Sequence, residues 1–169
     1  MTFIAATESS TKVVPPPGSE GRTLVTRRAL SKTTWPGVWT NSCCGHPRPG
    51  EAVADAVRRR AGEELGVDPT ALDDLEVVLP DFRYRAVDAG GVVEHEVCPV
   101  HVAVVPADLA LAPDPAEVAE HAWVPWADLH GAVTRTPMAF SPWLALQAGE
   151  LGPGLATRVL PSTPTGGTT

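Results

Sequence analysis

The sequence has few positive charges and no long apolar run, and each shortage excludes a class of protein. Lysine and arginine together number 13 against 20 acidic residues, which gives a formal net charge of −7. Because a nucleic-acid-binding protein normally presents a basic face, no nucleic-acid partner is expected. The longest apolar stretch, residues 97–105, is far shorter than the roughly 20 residues that span a bilayer, so no membrane partner is expected.

Cysteine is also scarce, and its positions argue against a disulfide-stabilised secreted protein. The chain contains only Cys43, Cys44 and Cys98, an odd number with two adjacent members. The first ten residues lack the positive charge and apolar run of a secretory signal. Both observations favour reduced thiols and a cytoplasmic location.

The length of 169 residues, 43% of them hydrophobic, suits one domain with one core. Residues 1–22 include three consecutive prolines and are predicted to be poorly ordered. The end of the chain, 153–169, is predicted to be a flexible tail. The folded domain is therefore predicted at 23–152, and a monomer is the default expectation.

Periodicity and turn signals predict an α/β (α+β) fold, a mixed β-sheet flanked by helices. The predicted strands are 23–26, 75–79, 82–87, 92–105 and 119–124. The predicted helices are 51–65, 126–133 and 142–148. Gly66 is the predicted stop of the first helix, and the turn Asp88–Gly91 is predicted to join two strands into a hairpin.

The most informative segment is 45–67, GHPRPGEAVADAVRRRAGEELGV, which resembles the Nudix box. The residues that match the box in order and spacing are Gly45, Glu51, Arg59, Glu63, Glu64, Gly66 and Val67. On the helix alone, the Arg59–Glu63 and Arg60–Glu64 pairs have a simpler explanation as weak ion pairs on a solvated face. Arg60 stands where the box has a glutamate, so a hydrolytic metal cluster is not expected, although a diphosphate could still be held.

Further stretches resemble one family of Nudix fold, the type I isopentenyl-diphosphate isomerases. They are LVTRRALSKTTWPGVWTNSCCGHP at 24–47, PDFRYRAVDAGGVVEHEVCPV at 80–100, and AFSPW at 139–143. The resemblance implies an isomerase that interconverts isopentenyl and dimethylallyl diphosphate and so feeds isoprenoid biosynthesis. It further implies that the alkene is protonated and deprotonated through a tertiary carbocation.

The resemblance implies that Cys44 and Glu96 handle the protons and that Tyr84 assists by a hydrogen bond to the acidic residue. Glu94 and Glu96 alternate with His95, so both carboxylates are expected on one face of a strand. The alternative explanations are a buried structural thiol, a polar edge strand and a core aromatic with a satisfied hydroxyl. Cys43 is interpreted as a packing residue.

By the same resemblance, Arg28, Lys32 and Arg60 are predicted to bind the diphosphate. Taken singly, each of these cations would be a surface charge. Trp143 is predicted to face the carbocation, because an aromatic face attracts a cation. Its alternative role is an ordinary core anchor.

The resemblance also implies a divalent ion, Mn, Mg or Zn, at His46, Glu94 and Glu96, and magnesium with the diphosphate near Glu64. The family's metal site has two further histidines, expected before Leu24, and residues 1–23 contain none. With three ligands the ion is predicted to bind weakly.

Other functions remain open from the sequence. A Nudix pyrophosphatase would share the phosphate site. A related cyclase or isomerase would act on a longer prenyl diphosphate, and a non-catalytic homologue would bind without turnover.

Overall fold

The computed structural model describes residues 2–7, 21–72, 75–106 and 108–159. Its strands are β1 (Thr2–Thr7), β2 (Arg22–Arg28), β3 (Trp39–Thr40), β4 (Cys43–Cys44), β5 (Glu76–Leu79), β6 (Arg83–Val87), β7 (Val93–Val97), β8 (Val100–Val105) and β9 (Val118–Pro125). Its α-helices are α1 (Val53–Leu65), α2 (Trp126–Arg135), α3 (Pro142–Leu151) and α4 (Leu155–Val159), with 3-10 turns at Pro69–Leu72 and Pro137–Ala139.

The main sheet is mixed, as predicted. Strand β1 pairs in parallel with β8 and antiparallel with β2 and β4. The sheet extends from β8 to β5 on one side and from β2 to β3 and β9 on the other, all antiparallel. Within the described residues no helix is long and apolar enough to cross a membrane.

Alternation along the strands gives the sheet two buried faces. Leu24 belongs to a core cluster with residues of α1, whereas its neighbour Val25 packs with residues of α2 and α3. Val102 and Ala103 of β8 divide in the same way. Successive side chains of a strand point to opposite faces, so a run of apolar residues can serve both layers.

Helix α1 ends where it was predicted to end. Gly66 adopts the left-handed conformation, with φ of 65°, and its N–H bonds the carbonyls of Ala61 and Gly62. A Cβ at this position would lie 2.6 Å from the carbonyl oxygen of Ala112, so glycine is required on both grounds. The helix begins two residues later than predicted, at Val53.

The predicted strand 92–105 is two strands in two sheets. Strand β7 pairs with β6 in a separate two-stranded sheet, with Tyr84 opposite Glu96. Strand β8 joins the main sheet instead. Pro99 separates the two, and because proline lacks the N–H that a ladder needs, it ends the pairing of β7.

The predicted disorder at the two ends is wrong in part. Residues 2–7 form β1, whose backbone is paired on both sides in the sheet, and this pairing outweighs the poor composition around it. Residues 155–159 form α4, anchored by Leu155, which is buried in the core. Residues 8–20 and 160–169 lie outside the described part of the chain.

Candidate active site

A cavity of about 440 Å³ opens between the loop after β2, strand β4, the β6–β7 hairpin and the start of α3. It is lined by every predicted site residue except Glu64. Those residues come from segments far apart in sequence, and the fold brings them to one place.

Both glutamates of β7 face the cavity, as the alternation predicted. Glu94 and Glu96 are partly buried, whereas Val93, His95 and Val97 are exposed. Glu94 accepts hydrogen bonds from the Tyr84 hydroxyl at 2.7 Å and from the Thr34 hydroxyl at 2.9 Å. Its two carboxylate oxygens are thus each held by a neutral donor.

The prediction that Tyr84 bonds the catalytic acid Glu96 is wrong in this structure, since its partner is Glu94. In the hairpin Tyr84 lies opposite Glu96, and its long side chain reaches the diagonal neighbour instead. Burial and the bond to Glu94, together with the charge of Glu96, raise the pKa of Tyr84 well above its usual value. The phenol is therefore a hydrogen-bond donor at neutral pH.

Glu96 contacts His46. The His46 Nε2 lies 3.1 Å from the Glu96 Oε1, and the imidazole is three-quarters exposed. The loop that carries His46 is tied to α1 by Arg59, which bonds the His46 carbonyl at 3.1 Å and Glu51 at 2.7 and 2.8 Å. The Nudix-box arginine and its first glutamate therefore have a structural role, because they fix this loop beside the cavity.

The adjacent cysteines of β4 face different environments. Cys44 is partly buried in the cavity wall, and its thiol lies 3.5 Å from the Asn41 Oδ1. Cys43 is buried among residues of α1, which agrees with its interpretation as a packing residue. Burial and the nearby Glu64 carboxylate raise the pKa of the Cys43 thiol well above its usual range, so it stays protonated.

Trp143 forms an aromatic wall of the cavity. Its ring centroid lies 5.7 Å from that of Tyr84 and 5.2 Å, edge to face, from that of Trp35. The guanidinium of Arg28 lies 5.5 Å from the same indole. Arg28 and Trp143 therefore make a cation–π contact, and the carbocation-facing role of Trp143 stays a prediction.

The three cations predicted to bind the diphosphate are already partnered. Arg28 donates to the Thr34 carbonyl at 2.9 and 3.1 Å. The ammonium of Lys32 lies 2.5 Å from a carboxylate oxygen of Glu117. A bound anion would therefore compete with protein acceptors for these donors.

Arg60 is the most heavily paired of these cations. It lies 2.5 Å from Glu64, 2.8 Å from Glu63 and 3.6 Å from Glu117. Burial alone would lower the pKa of Arg60, but the facing carboxylates outweigh it and raise that pKa. Burial raises the pKa of Glu64 to about 7, although the Arg60 charge opposes the rise.

The predicted metal ligands do not converge. Across the described ranges, no group of three or more His, Cys, Asp or Glu side chains is arranged to hold a metal ion. His46 and Glu96 contact each other, but Glu94 is turned to Tyr84 and Thr34. Glu64 lies off the cavity in its pair with Arg60. The described side chains therefore form no preorganised metal centre, and the metal ligands remain a prediction.

Sequence reasoning missed three residues of the site, Trp35, Asn41 and Glu117. Trp35 has a φ of 43°, a conformation that nothing in the sequence indicates. Glu117 is 85 residues from its partner Lys32. Asn41 could have been found from the sequence, because it lies inside the motif TNSCCGHP, but the motif alone did not assign it a role.

The fold and the loop–helix segment at 45–67 define a Nudix domain. The NUDIX domain family model matches residues 10–146. Among solved structures, a Nudix hydrolase from M. smegmatis, RenU, superposes with a TM-score of 0.59 at 20% identity, covering 96% of this chain and 88% of that one. At that identity the likeness establishes the fold alone.

Curated relatives define the family within that fold. An isopentenyl-diphosphate Delta-isomerase from Clavibacter sepedonicus is 58% identical over 80% of this chain and 68% of its own length. One from Cutibacterium acnes is 56% identical over 80% of this chain and 69% of its own length. The chain therefore belongs to the isopentenyl-diphosphate Delta-isomerase family of the Nudix superfamily.

Proposed function

We propose that this chain interconverts isopentenyl diphosphate and dimethylallyl diphosphate, and so feeds isoprenoid biosynthesis. One observation carries the proposal: a thiol, two carboxylates, a phenol and an indole line the same cavity as three cations. The reaction needs proton-transfer groups, an electron-rich wall and positive charge for a diphosphate. This cavity offers all three within one enclosure.

The proton steps are assigned to Cys44 and Glu96, which lie on different strands around the cavity. One group gives a proton to the terminal methylene carbon of the alkene, which creates a tertiary cation at the neighbouring carbon. The other group takes a proton from the carbon on the diphosphate side, and the double bond re-forms there. The substrate gains one proton and loses one, so its oxidation state is unchanged. The two groups end the turnover with exchanged protonation states, and proton exchange with solvent restores them.

Tyr84 and Trp143 support the cationic intermediate in this proposal. The Trp143 ring is buried and faces the cavity, where its π electrons stabilise positive charge. Tyr84 stays protonated and holds Glu94, so that the carboxylate is fixed beside Glu96.

Arg28, Lys32 and Arg60 are proposed to bind the diphosphate by charge-assisted hydrogen bonds. A diphosphate would compete with the carboxylates that pair with Lys32 and Arg60 and with the Thr34 carbonyl that accepts from Arg28. It offers several oxygens and more charge than a single carboxylate, so it can replace these partners. The pairing of Arg60 with Glu64 at 2.5 Å also supports isomerisation over Nudix hydrolysis, since it occupies a carboxylate of the box.

A divalent ion is part of the proposal only as a loosely bound component. The family generally uses divalent metal ions, and His46, Glu94 and Glu96 are the proposed ligands, with magnesium near Glu64. Because these side chains do not converge, no proton step is assigned to an ion. Metal content after dialysis against a chelator, with activity against added manganese or magnesium, tests this. An equimolar ion that survives chelation contradicts it.

The location proposed for the protein is the cytoplasm. The three cysteines all lie in the described part of the chain and none of them forms a disulfide, which is the state expected where thiols are kept reduced.

The function is tested by incubating the protein with isopentenyl diphosphate in deuterated water and following the products by NMR. We expect dimethylallyl diphosphate with deuterium in a methyl group. In a parallel reaction with nucleoside diphosphate derivatives we expect no release of phosphate. Unchanged isopentenyl diphosphate would refute the proposal, and hydrolysis at about 1 s⁻¹ or faster would place the chain with the hydrolases.

A further inference from the structure

The side chain of Asn41 links two of the groups that the reaction is proposed to use, the thiol of Cys44 and the indole of Trp143. Its Oδ1 lies 2.9 Å from the indole Nε1 of Trp143, 3.5 Å from the thiol of Cys44 and 2.8 Å from the hydroxyl of Thr40. Asn41 is 1% exposed, so no bulk water competes for these bonds. One buried oxygen therefore contacts both the proposed proton-transfer thiol and the proposed cation-stabilising ring.

The orientation of this amide follows from its neighbours. An indole N–H can only donate, so the Asn41 atom facing Trp143 must be the oxygen. The opposite end agrees with this orientation, because the Asn41 Nδ2 donates to the Gln147 Oε1 at 2.5 Å. Gln147 is fully buried and holds the amide against rotation.

The backbone of Asn41 is fixed as well. The Thr26 hydroxyl donates to the Asn41 carbonyl at 2.7 Å, and Thr26 is 3% exposed. Asn41 is thus held at its carbonyl and at its amide nitrogen, so the position of Oδ1 is set by strand β2 and helix α3 together. The thiol of Cys44 and the indole of Trp143 both bond to that fixed oxygen.

We propose that Asn41 is a positioning residue, whose amide oxygen holds the Cys44 S–H and the Trp143 indole in one fixed relation to the bound alkene. The inference rests on the proposed isomerase function. Asn41 lies behind the cavity wall, and its hydrogen bonds go to residues other than the three proposed diphosphate-binding cations. Its loss should therefore slow the chemical step and leave substrate binding nearly unchanged.

The test compares Asn41→Ser, Asn41→Asp and Thr26→Val. Serine withdraws the oxygen from both Cys44 and Trp143, whereas aspartate keeps an oxygen in the same place. Thr26→Val is the matched control, because it removes an equally buried hydrogen bond to the same residue without touching Oδ1. Any effect of lost packing or stability should appear in the control.

We expect Asn41→Ser to lower kcat by about 100-fold with KM within about three-fold of the original protein. Asn41→Asp should be at least about ten-fold faster than Asn41→Ser, and Thr26→Val should keep kcat within about three-fold. The ¹H–¹⁵N signal of the Trp143 indole, assigned with Trp143→Phe, should move in Asn41→Ser and stay in Asn41→Asp.

Three results overturn the inference while the original protein is active: Asn41→Ser with kcat within about five-fold, Thr26→Val as slow as Asn41→Ser, or Asn41→Asp no faster than Asn41→Ser. If Asn41→Ser does not fold, Asn41→Asp carries the test. In Asn41→Asp, a kcat within about ten-fold of the original protein then supports the inference, because an oxygen is kept in that place, and a lower kcat overturns it. Inactivity of the original protein refutes the proposed function instead.

Discussion

The two ends of the cavity are held together by different forces. Cys44 and Trp143 share a neutral, buried hydrogen-bond partner, the amide of Asn41, although the Arg28 guanidinium also lies 5.5 Å from the Trp143 indole. Around Lys32 and Arg60 the partners are carboxylates, of which Glu117 is partly exposed and Glu64 is buried. The neutral Asn41 bonds fix geometry without adding a further charge beside the carbocation, whereas the ion pairs of Lys32 and Arg60 keep these cations in place and can be exchanged for a diphosphate. The first end should therefore govern kcat and the second KM.

The largest expected effect comes from the thiol. Cys44→Ala should lower kcat by about 1,000-fold or more and abolish deuterium incorporation, because it removes a proton-transfer group. Substrate affinity should change by only about three-fold, since the cations are untouched. The measurement is the kcat and KM of isomerisation in deuterated water.

Cys43→Ala is the matched control for that change. The neighbouring thiol lies on the other face of β4, in the α1 core, so its loss should affect stability and not turnover. Equal loss of activity in both variants would show that the reactive thiol is wrongly assigned.

Tyr84→Phe tests the same end with a smaller effect. Removing the hydroxyl frees one oxygen of Glu94 while the ring still packs on Trp143. We expect kcat to fall by about 100-fold with an unchanged melting temperature to within a few degrees. Steady-state kinetics and thermal unfolding measure the two quantities. A rise in KM with normal kcat would place Tyr84 in binding and remove the contrast between the two ends.

Lys32→Ala tests the cationic end. We expect KM to rise by about ten-fold, equivalent to about 1.4 kcal/mol, with kcat nearly unchanged. Glu117→Gln is the paired variant: it removes the carboxylate that competes for Lys32, so KM should fall slightly, by about two-fold. Measured over a range of salt concentrations, both differences should shrink at high salt. A loss of kcat in Lys32→Ala would contradict the division.

The smallest effect concerns His101, which lies away from both ends in β8. It is 2% exposed, its Nδ1 has no hydrogen-bond partner among the described residues, and burial lowers its pKa below the usual 6.5. The unfolded chain then takes up this proton more readily than the folded one, so stability is lost as the pH falls below about 6.5. His101→Phe should lose less unfolding free energy between pH 7 and pH 5, as measured by urea denaturation. An equal loss of unfolding free energy between pH 7 and pH 5 in the original protein and in His101→Phe would contradict this prediction.

The sequence predicted best those structural features that depend on residues close together in the chain. The end of α1 at Gly66 and the hairpin turn at 88–91 follow from residue types at fixed spacing, and both are found in the structure. Strand β1 was missed because its pairing with β8 depends on residues almost 100 positions away. No local signal encodes such a contact.

The same limit applies to the site. Motifs identified the residues around the cavity, but not which atoms touch. The preference of Tyr84 for Glu94 over Glu96 depends on diagonal reach across a strand pair. The Asn41–Trp143 bond spans 102 residues, and only the fold brings its partners together.

The separate β6–β7 sheet carries part of the active site without a strand pair to the main sheet among the described strands. The β6–β7 hairpin contains Tyr84, Glu94 and Glu96, and among the described strands its two strands pair only with each other. Cys44, in contrast, lies in β4 of the main sheet. The spacing between the thiol and the acid is consequently set by side-chain packing of Phe82, Tyr84 and Trp143 rather than by a backbone ladder. Volume changes in those three rings would tune the width of the cavity, and with it the size of alkene that fits between the proton-transfer groups.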